Sequence, residues 1–281
     1  MHSYSVRCLN PVGFHSMAYK EWGSSDNERV LVCVHGLARN SRDFDELAQA
    51  LSRDYRVICP DVVGRGESDW LPAGQEYGVP QYMSDMVTLL ARLNVDQVDW
   101  VGTSMGGIIG MCLAALPNSP IKSLVLNDVG GVIPASALKR ISGYLGDKRF
   151  SELDQVEAYM RSTYISYRNI SDLQWKRLAK YGSKQLDNGQ FALHYDPAIA
   201  EATKANNSED INLWAIWSQI NIPQLLIWGE SSDVLEEPTV RVMQENENLV
   251  LYKVHNMEHA PSLMEPEQIN HIQSWLRQNR R

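Results

Sequence analysis

A serine flanked by glycines stands near the middle of the chain, in the stretch "VDWVGTSMGGIIGMCLAA" over residues 98–115. Ser104 lies where an apolar run with strand character gives way to one with helical spacing, and Gly102 and Gly106 stand two residues to either side. A sharp strand-to-helix turn needs small residues at those two positions, and it presents the hydroxyl at its apex. The pattern predicts that Ser104 is a nucleophile, and the alternative is an ordinary glycine-rich turn.

A serine hydroxyl needs a neighbouring base to become a good nucleophile, and histidine is the natural one near neutral pH. Of the seven histidines, three follow predicted buried strands: His35, His255 and His259. His259 opens the loop "HAPSLMEP" after the strand "NLVLYKV", which places it at the edge of the sheet where Ser104 is expected. We therefore predict His259 as the base. His255 is the alternative, and His35 is expected to shape its own loop.

The base needs a carboxylate that orients it and stabilises its charged form. Asp233 follows the strand "LLIWG" in "GESSDVLEEP", and Asp128 ends the strand "LVLND". Both leave strands at the expected edge of the sheet. We favour Asp233, because its strand directly precedes that of His259 and the order serine, acid, histidine is kept. Asp128 is the alternative acid.

Cleavage of an acyl group also needs two hydrogen-bond donors aimed at the oxygen that becomes negatively charged. The backbone amide of Met105, the first residue of the helix after Ser104, is the first predicted donor. The second should come from the loop after "LVCVHG", and the amide of Leu37 is the predicted choice. These two amides form the predicted oxyanion hole.

The elements that must position these residues can be read from the hydrophobic pattern. Two alternating stretches at 4–9 and 14–22 predict an opening β-hairpin. Buried-strand runs then alternate with amphipathic helices, which predicts an α/β fold with a mostly parallel, doubly wound sheet of about eight strands. The strand signal stops over residues 134–217, which are rich in aromatics and predict a helical insertion. Residues 1–133 and 218–281 would form the core.

Composition narrows the functional class. With 44% hydrophobic residues and a net charge of −8, the chain is expected to be globular and not to bind nucleic acid. It has no apolar run of membrane-spanning length and no leader-like start, which predicts a cytoplasmic protein without a membrane partner. The four cysteines are scattered and predict reduced, buried thiols. We expect no metal and no organic cofactor.

Together these motifs resemble the α/β-hydrolase superfamily, and the sequence is similar to its serine carboxylesterase-like members along almost the whole chain. By this resemblance the 134–217 insertion is a cap that contributes much of the substrate pocket. The motifs that carry the resemblance are, in order, the oxyanion loop "HGLARNSRDF", the following turn "CPDVVGRGESD", the nucleophile elbow "GTSMGG", the acid loop "WGESSDVL" and the histidine loop "HAPSLMEPEQI".

The resemblance implies a serine hydrolase that cleaves carboxylic esters of small molecules through an acyl-enzyme, with thioesters and lactones left open. Haloalkane dehalogenases and epoxide hydrolases of this fold carry aspartate where Ser104 stands. Carbon–carbon bond hydrolases of the meta-cleavage-product type have tryptophan after the histidine, where this chain has Ala260, and a different oxyanion loop. The alternative functions are carbon–carbon bond hydrolysis of this meta-cleavage-product type and non-catalytic binding by a protein of the same fold. The sequence predicts no oligomeric state.

Overall fold

The structure is a computed structural model that describes residues 1–72, 77–167, 169–205 and 208–279. Its first half opens with an antiparallel hairpin and then alternates strand and helix, as the sequence predicts. A short 3-10 helix precedes the first α-helix. The elements are β1 His2–Asn10, β2 Gly13–Trp22, β3 Val30–Val34, the 3-10 helix Ser41–Phe44, α1 Asp45–Leu51, β4 Arg56–Pro60, α2 Val79–Leu93, β5 Val98–Thr103, α3 Met105–Ala114 and β6 Ile121–Asn127.

The segment between β6 and the next long strand is not purely helical. Five short strands lie among its helices: three form one antiparallel sheet and two pair with each other. Runs of two or three residues are too short to leave a period in the sequence, which is why they were not predicted. The predicted insertion also includes residues 168, 206 and 207, which lie outside the described residues. The elements are β7 Val132–Ile133, α4 Ala135–Tyr144, β8 Arg149–Phe150, α5 Leu153–Thr163, the 3-10 helix Ile165–Tyr167, α6 Asp172–Tyr181, β9 Ser183–Gln185, β10 Phe191–Leu193, α7 Ile199–Ala205, β11 Ile211–Asn212 and α8 Trp214–Trp217.

The chain then returns to the large sheet. The final elements are β12 Gln224–Gly229, α9 Glu237–Met243, β13 Leu249–Val254 and α10 Pro266–Gln278. The sheet has eight strands in the order β1-β2-β4-β3-β5-β6-β12-β13. Every pair from β4 to β13 is parallel, while β2 runs antiparallel to both β1 and β4. The predicted α/β class with a mostly parallel sheet is confirmed.

Side chains of the central strands are buried on both faces of the sheet, because helices cover each face. In β3 all five residues are buried. Val30, Val32 and Val34 pack on the face covered by α2 and α3. Leu31 and Cys33 pack on the opposite face, with α1 and α10. This alternation explains the unbroken apolar runs, and it gives the carboxyl ends of the strands a rigid base.

Within the described part of the chain, none of the helices combines the length and the apolar character that a bilayer-spanning segment requires.

Candidate active site

Ser104 occupies the predicted turn between β5 and α3. Its backbone has φ 52° and ψ −114°, a region that side chains rarely adopt and that costs about 1–3 kcal/mol. Its amide donates to the carbonyl of Asn127 on β6 at 3.0 Å. A Cβ at Gly102 would overlap the backbone of Gly106, and one at Gly106 would overlap the carbonyl of Val34. The glycines therefore permit the close approach of α3 to the sheet that holds this turn.

A continuous chain of hydrogen bonds leads from this serine. Ser104 Oγ lies 3.0 Å from His259 Nε2, and His259 Nδ1 lies 2.7 Å from Asp128 Oδ2. His259 stands on the loop between β13 and α10, and Asp128 follows the last residue of β6 directly. The strand ends thus bring together three side chains that are up to 155 positions apart.

Asp128 is held by further contacts. It is fully buried, and its φ of 59° turns the chain sharply out of β6. Oδ1 accepts from the amide of Gly229 at 2.8 Å, while Oδ2 accepts from Ser232 Oγ at 2.5 Å in addition to His259. A carboxylate that only accepts requires His259 Nδ1 to be the donor, which leaves Nε2 free to accept from the serine hydroxyl.

In the structure His259 bonds Asp128 and not Asp233. The Asp233 carboxylate instead accepts from Arg140 of α4, Nε at 2.5 Å and Nη2 at 2.7 Å. Partial burial on its own would raise the pKa of Asp233, but the hydrogen bonds and charge of Arg140 lower it overall. Asp233 lies beyond the end of β12, whereas Asp128 leaves β6, the strand next to that of Ser104. Asp128, the alternative acid, thus lies against His259 where Asp233 was expected.

Leu37 and Met105, the predicted donors, line the same cavity as Ser104. The fully buried Arg65 holds them in place: its Nε donates to the Leu37 carbonyl at 2.9 Å, and its Nη2 lies 3.6 Å from Met105 Sδ. Arg65 was not among the predicted site residues, although it sits between two glycines in the "VVGRGES" turn. A single charge between glycines in a buried turn was the available signal.

The other two histidines of the initial set lie elsewhere. His35 is completely buried, with Nδ1 2.7 Å from the carbonyl of Gly36 and Nε2 accepting from the amide of Val62 at 3.0 Å. Burial lowers the pKa of His35 to about 3, despite the Gly36 hydrogen bond that opposes the shift. This neutral imidazole fixes the loop, as expected. His255 is 71% exposed and pairs with Glu230.

Two cavities meet at Ser104. The larger has a volume of about 630 Å³ and a largely apolar wall that includes Ile108 of α3 and Leu138 of α4. The smaller, of about 60 Å³, is lined by His259, Arg140 and Tyr144, among others. Residues of the 134–217 segment contribute to both walls. The same segment contacts the histidine loop directly, because Ser166 Oγ donates to the carbonyl of His259 at 3.1 Å.

Among the residues that the structure describes, one group of side chains has metal-ligand chemistry. Potential ligand atoms of Cys8, His15 and Asp85 lie within 4.8 Å of one another in the buried junction between the hairpin and α2. His15 Nε2 is 2.9 Å from Asp85 Oδ2, and Asn10 Nδ2 is 3.2 Å from His15 Nδ1. Burial and the Asp85 carboxylate raise the pKa of the Cys8 thiol to about 12, which disfavours the thiolate that metals bind. The contacts tie the hairpin to α2.

Known proteins resemble this chain in both sequence and structure. A family model described as "alpha/beta hydrolase fold" matches residues 29–250. The chain is 46% identical over 274 residues, 94% of either chain, to a 3-hydroxybutyrate-oligomer hydrolase from Cupriavidus necator. It is 26% identical to Lipase 1 from Psychrobacter immobilis, over 85% of this chain and 73% of the lipase. A solved α/β hydrolase from Novosphingobium aromaticivorans superposes with a TM-score of 0.88 at 31% identity, with 98% of either chain covered.

Proposed function

The chain belongs to the α/β-hydrolase family and is an enzyme of that family, and we propose that it is a serine hydrolase that cleaves carboxylic esters. The observation that carries the proposal is the hydrogen-bonded series from Ser104 through His259 to Asp128. A hydroxyl, an imidazole and a buried carboxylate in this order can activate the hydroxyl for attack on an acyl carbon. We assign the acid role to Asp128.

In the proposed reaction Ser104 Oγ attacks the carbonyl carbon of the ester while His259 Nε2 takes the hydroxyl proton. The bond from that carbon to the alcohol oxygen then breaks, and His259 gives the proton to the departing alcohol. Water attacks the resulting acyl-serine with His259 again as base, which releases the acid and restores the serine. Ester and water are converted to acid and alcohol, and Asp128 stabilises the imidazolium in both halves.

The amides of Leu37 and Met105 are the proposed donors to the oxyanion. Support comes from their position on the wall of the cavity that contains Ser104. The amino end of α3 adds a positive field at the same point. Removal of one such donor from an enzyme of this kind costs about 2.7–4 kcal/mol of transition-state stabilisation. We propose that buried Arg65 fixes the spacing of this pair through its contacts with the Leu37 carbonyl and Met105.

The proposed substrates are linear oligoesters of short hydroxy acids. The relative that is 46% identical is, by its name, a hydrolase of 3-hydroxybutyrate oligomers, whose units are joined by ester bonds. The larger cavity, with its apolar lining and volume of about 630 Å³, suits the methyl-substituted chain of such an acyl group. We propose that the 134–217 segment acts as the cap that closes this cavity over Ser104.

The test is hydrolysis of 3-hydroxybutyrate dimer and trimer, followed by chromatography of the released monomer, beside a series of p-nitrophenyl esters. We expect the wild-type protein to cleave both kinds of ester and Ser104→Ala to cleave neither. Ser123→Ala is the matched control, since this buried serine bonds Asp99 in the strand layer and lines neither cavity described above. Full activity in Ser104→Ala would refute the proposal, as would a wild-type protein inert toward every ester.

A further inference from the structure

The wall of the smaller cavity beside Ser104 includes a positively charged side chain that has no part in the proposed reaction. Arg140, on α4, lines this cavity together with Ser104 and His259. The pKa of its partner Asp233 is raised by burial and lowered by Arg140, with a smaller lowering from His259. Asp233 therefore lies near His259. A guanidinium therefore lies on the wall of the smaller cavity, which Ser104 and His259 also line.

Arg140 can exchange Asp233 for another carboxylate. The side chains of Arg140 and Asp233 are 44% and 47% exposed, and exposed pairs of this kind stabilise a fold by only about 0–1 kcal/mol. The pair uses Nε and Nη2, which form one edge of the guanidinium fork, so its other edge is not used by Asp233. A second carboxylate can therefore join or replace Asp233 at small free-energy cost.

A second arginine lines the same cavity, but a buried aspartate already pairs with it. Arg39 and its partner Asp43 are only 7% and 8% exposed, and the pair is bidentate, at 2.9 and 2.6 Å. The guanidinium also lies over the ring of Tyr164, 4.7 Å from its centroid. Exchange of Asp43 for a ligand would leave a buried charge unpaired, which is strongly unfavourable. Arg140 is the cation that is available to a substrate.

We infer that Arg140 binds the free carboxylate of the substrate in the smaller cavity, and that Asp233 is the counter-ion this carboxylate displaces. The inference rests on the proposed function. In a hydroxy-acid dimer the carboxylate belongs to the alcohol side of the scissile ester, so the carboxylate end of the leaving unit enters the smaller cavity. The acyl unit then occupies the larger, apolar one. Arginine is suited to this role because its planar fork matches a carboxylate.

The test compares two dimers of 3-hydroxybutyrate, one with a free carboxylate and one with that group converted to the neutral primary amide. Each has a single scissile ester. We expect Arg140→Gln to lower the ratio of kcat/KM for the acid to kcat/KM for the amide by about 10–100-fold, mainly through KM, because charge-assisted hydrogen bonds are lost. Asp233→Asn should raise the ratio by about 2–5-fold, since the competing carboxylate loses its charge.

The matched control is Arg149→Gln, because Arg149 forms a similarly exposed pair with Asp147 but lies in neither cavity beside Ser104. A fall of the ratio in Arg140→Gln alone would support the inference. An unchanged ratio, or an equal fall in both variants, would overturn it and leave the pair as a structural tie between α4 and the loop after β12.

The same comparison is made as equilibrium binding in Ser104→Ala and in the double variant Ser104→Ala with Arg140→Gln. The dissociation constant of the acid should rise by about 10–100-fold in the double variant relative to that of the amide. The same ratio of acid to amide dissociation constants in the two variants would overturn the inference. Failure of the proposed function has different signatures. If turnover persists in Ser104→Ala, the acid-to-amide ratio of kcat/KM still tests Arg140. If the wild-type protein is inert toward every ester, the binding comparison still tests it.

Discussion

Replacement of Asp128 by asparagine should almost abolish turnover although the two side chains have the same shape. The amide oxygen can still accept from Gly229, but an NH₂ group must face His259 Nδ1, which is 2.7 Å away. Two donors cannot share that contact, so the imidazole proton moves to Nε2. His259 then donates toward Ser104 and can no longer take its proton.

The expected loss in kcat is about 10⁴-fold, the size seen when the acid of such a series becomes an amide. At 1.36 kcal/mol for each factor of ten, this corresponds to about 5.4 kcal/mol in the activation barrier. The assay is steady-state hydrolysis of p-nitrophenyl butyrate, with circular dichroism to confirm that the variant is folded.

The matched variant is Asp233→Asn, which makes the same chemical change on the neighbouring strand's loop. Because Asp233 bonds Arg140 and not His259, its turnover of this uncharged ester should change less than about threefold, in line with an exposed ion pair. Loss of at least a thousandfold in Asp233→Asn, together with near-normal activity in Asp128→Asn, would refute the reasoning.

Two further predictions concern stability. Ser104→Gly should be inactive, yet its free energy of unfolding in urea should exceed that of Ser104→Ala by about 1 kcal/mol, because glycine relieves the strain at φ 52°. Equal free energies of unfolding would show that this backbone is not strained. The pKa of His35 is about 3 in the folded state and near 6.5 in the unfolded chain. Between these pH values the unfolded chain binds a proton that the folded state does not, so the free energy of unfolding decreases as pH falls from 6.5 toward 3. His35→Asn should flatten the pH dependence of the unfolding free energy between pH 4.5 and 6.5 by up to about 1.4 kcal/mol per pH unit, and an unchanged slope would show that His35 is not buried in neutral form.

Local pattern was sufficient to predict the turn at Ser104 and the loop of His259. Buried strands carry unbroken apolar runs, and the residues that follow them must gather at one edge of a parallel sheet. The acid could not be chosen this way. Asp128 and Asp233 both leave adjacent strands at that edge, and both lie between Ser104 and His259 in the sequence.

Side-chain contacts across long sequence distances place Asp128, and not Asp233, against His259. Arg140, 93 positions before Asp233, holds its carboxylate, while Ser232 and the amide of Gly229 hold that of Asp128. None of these partners leaves a periodic signal in the sequence. Arg65 was missed for the same reason, because its contacts with Leu37 and Met105 join three separate turns.

Ser104 is the proposed nucleophile, and His259 is the base that activates it. The most direct test of this assignment is intact-mass and peptide mass spectrometry after treatment with a fluorophosphonate, which reacts with activated serines. We predict one adduct per chain, on the peptide that contains Ser104, with parallel loss of ester hydrolysis and no adduct in Ser104→Ala. Labelling at another residue, or a fully labelled protein that still hydrolyses esters, would contradict the account.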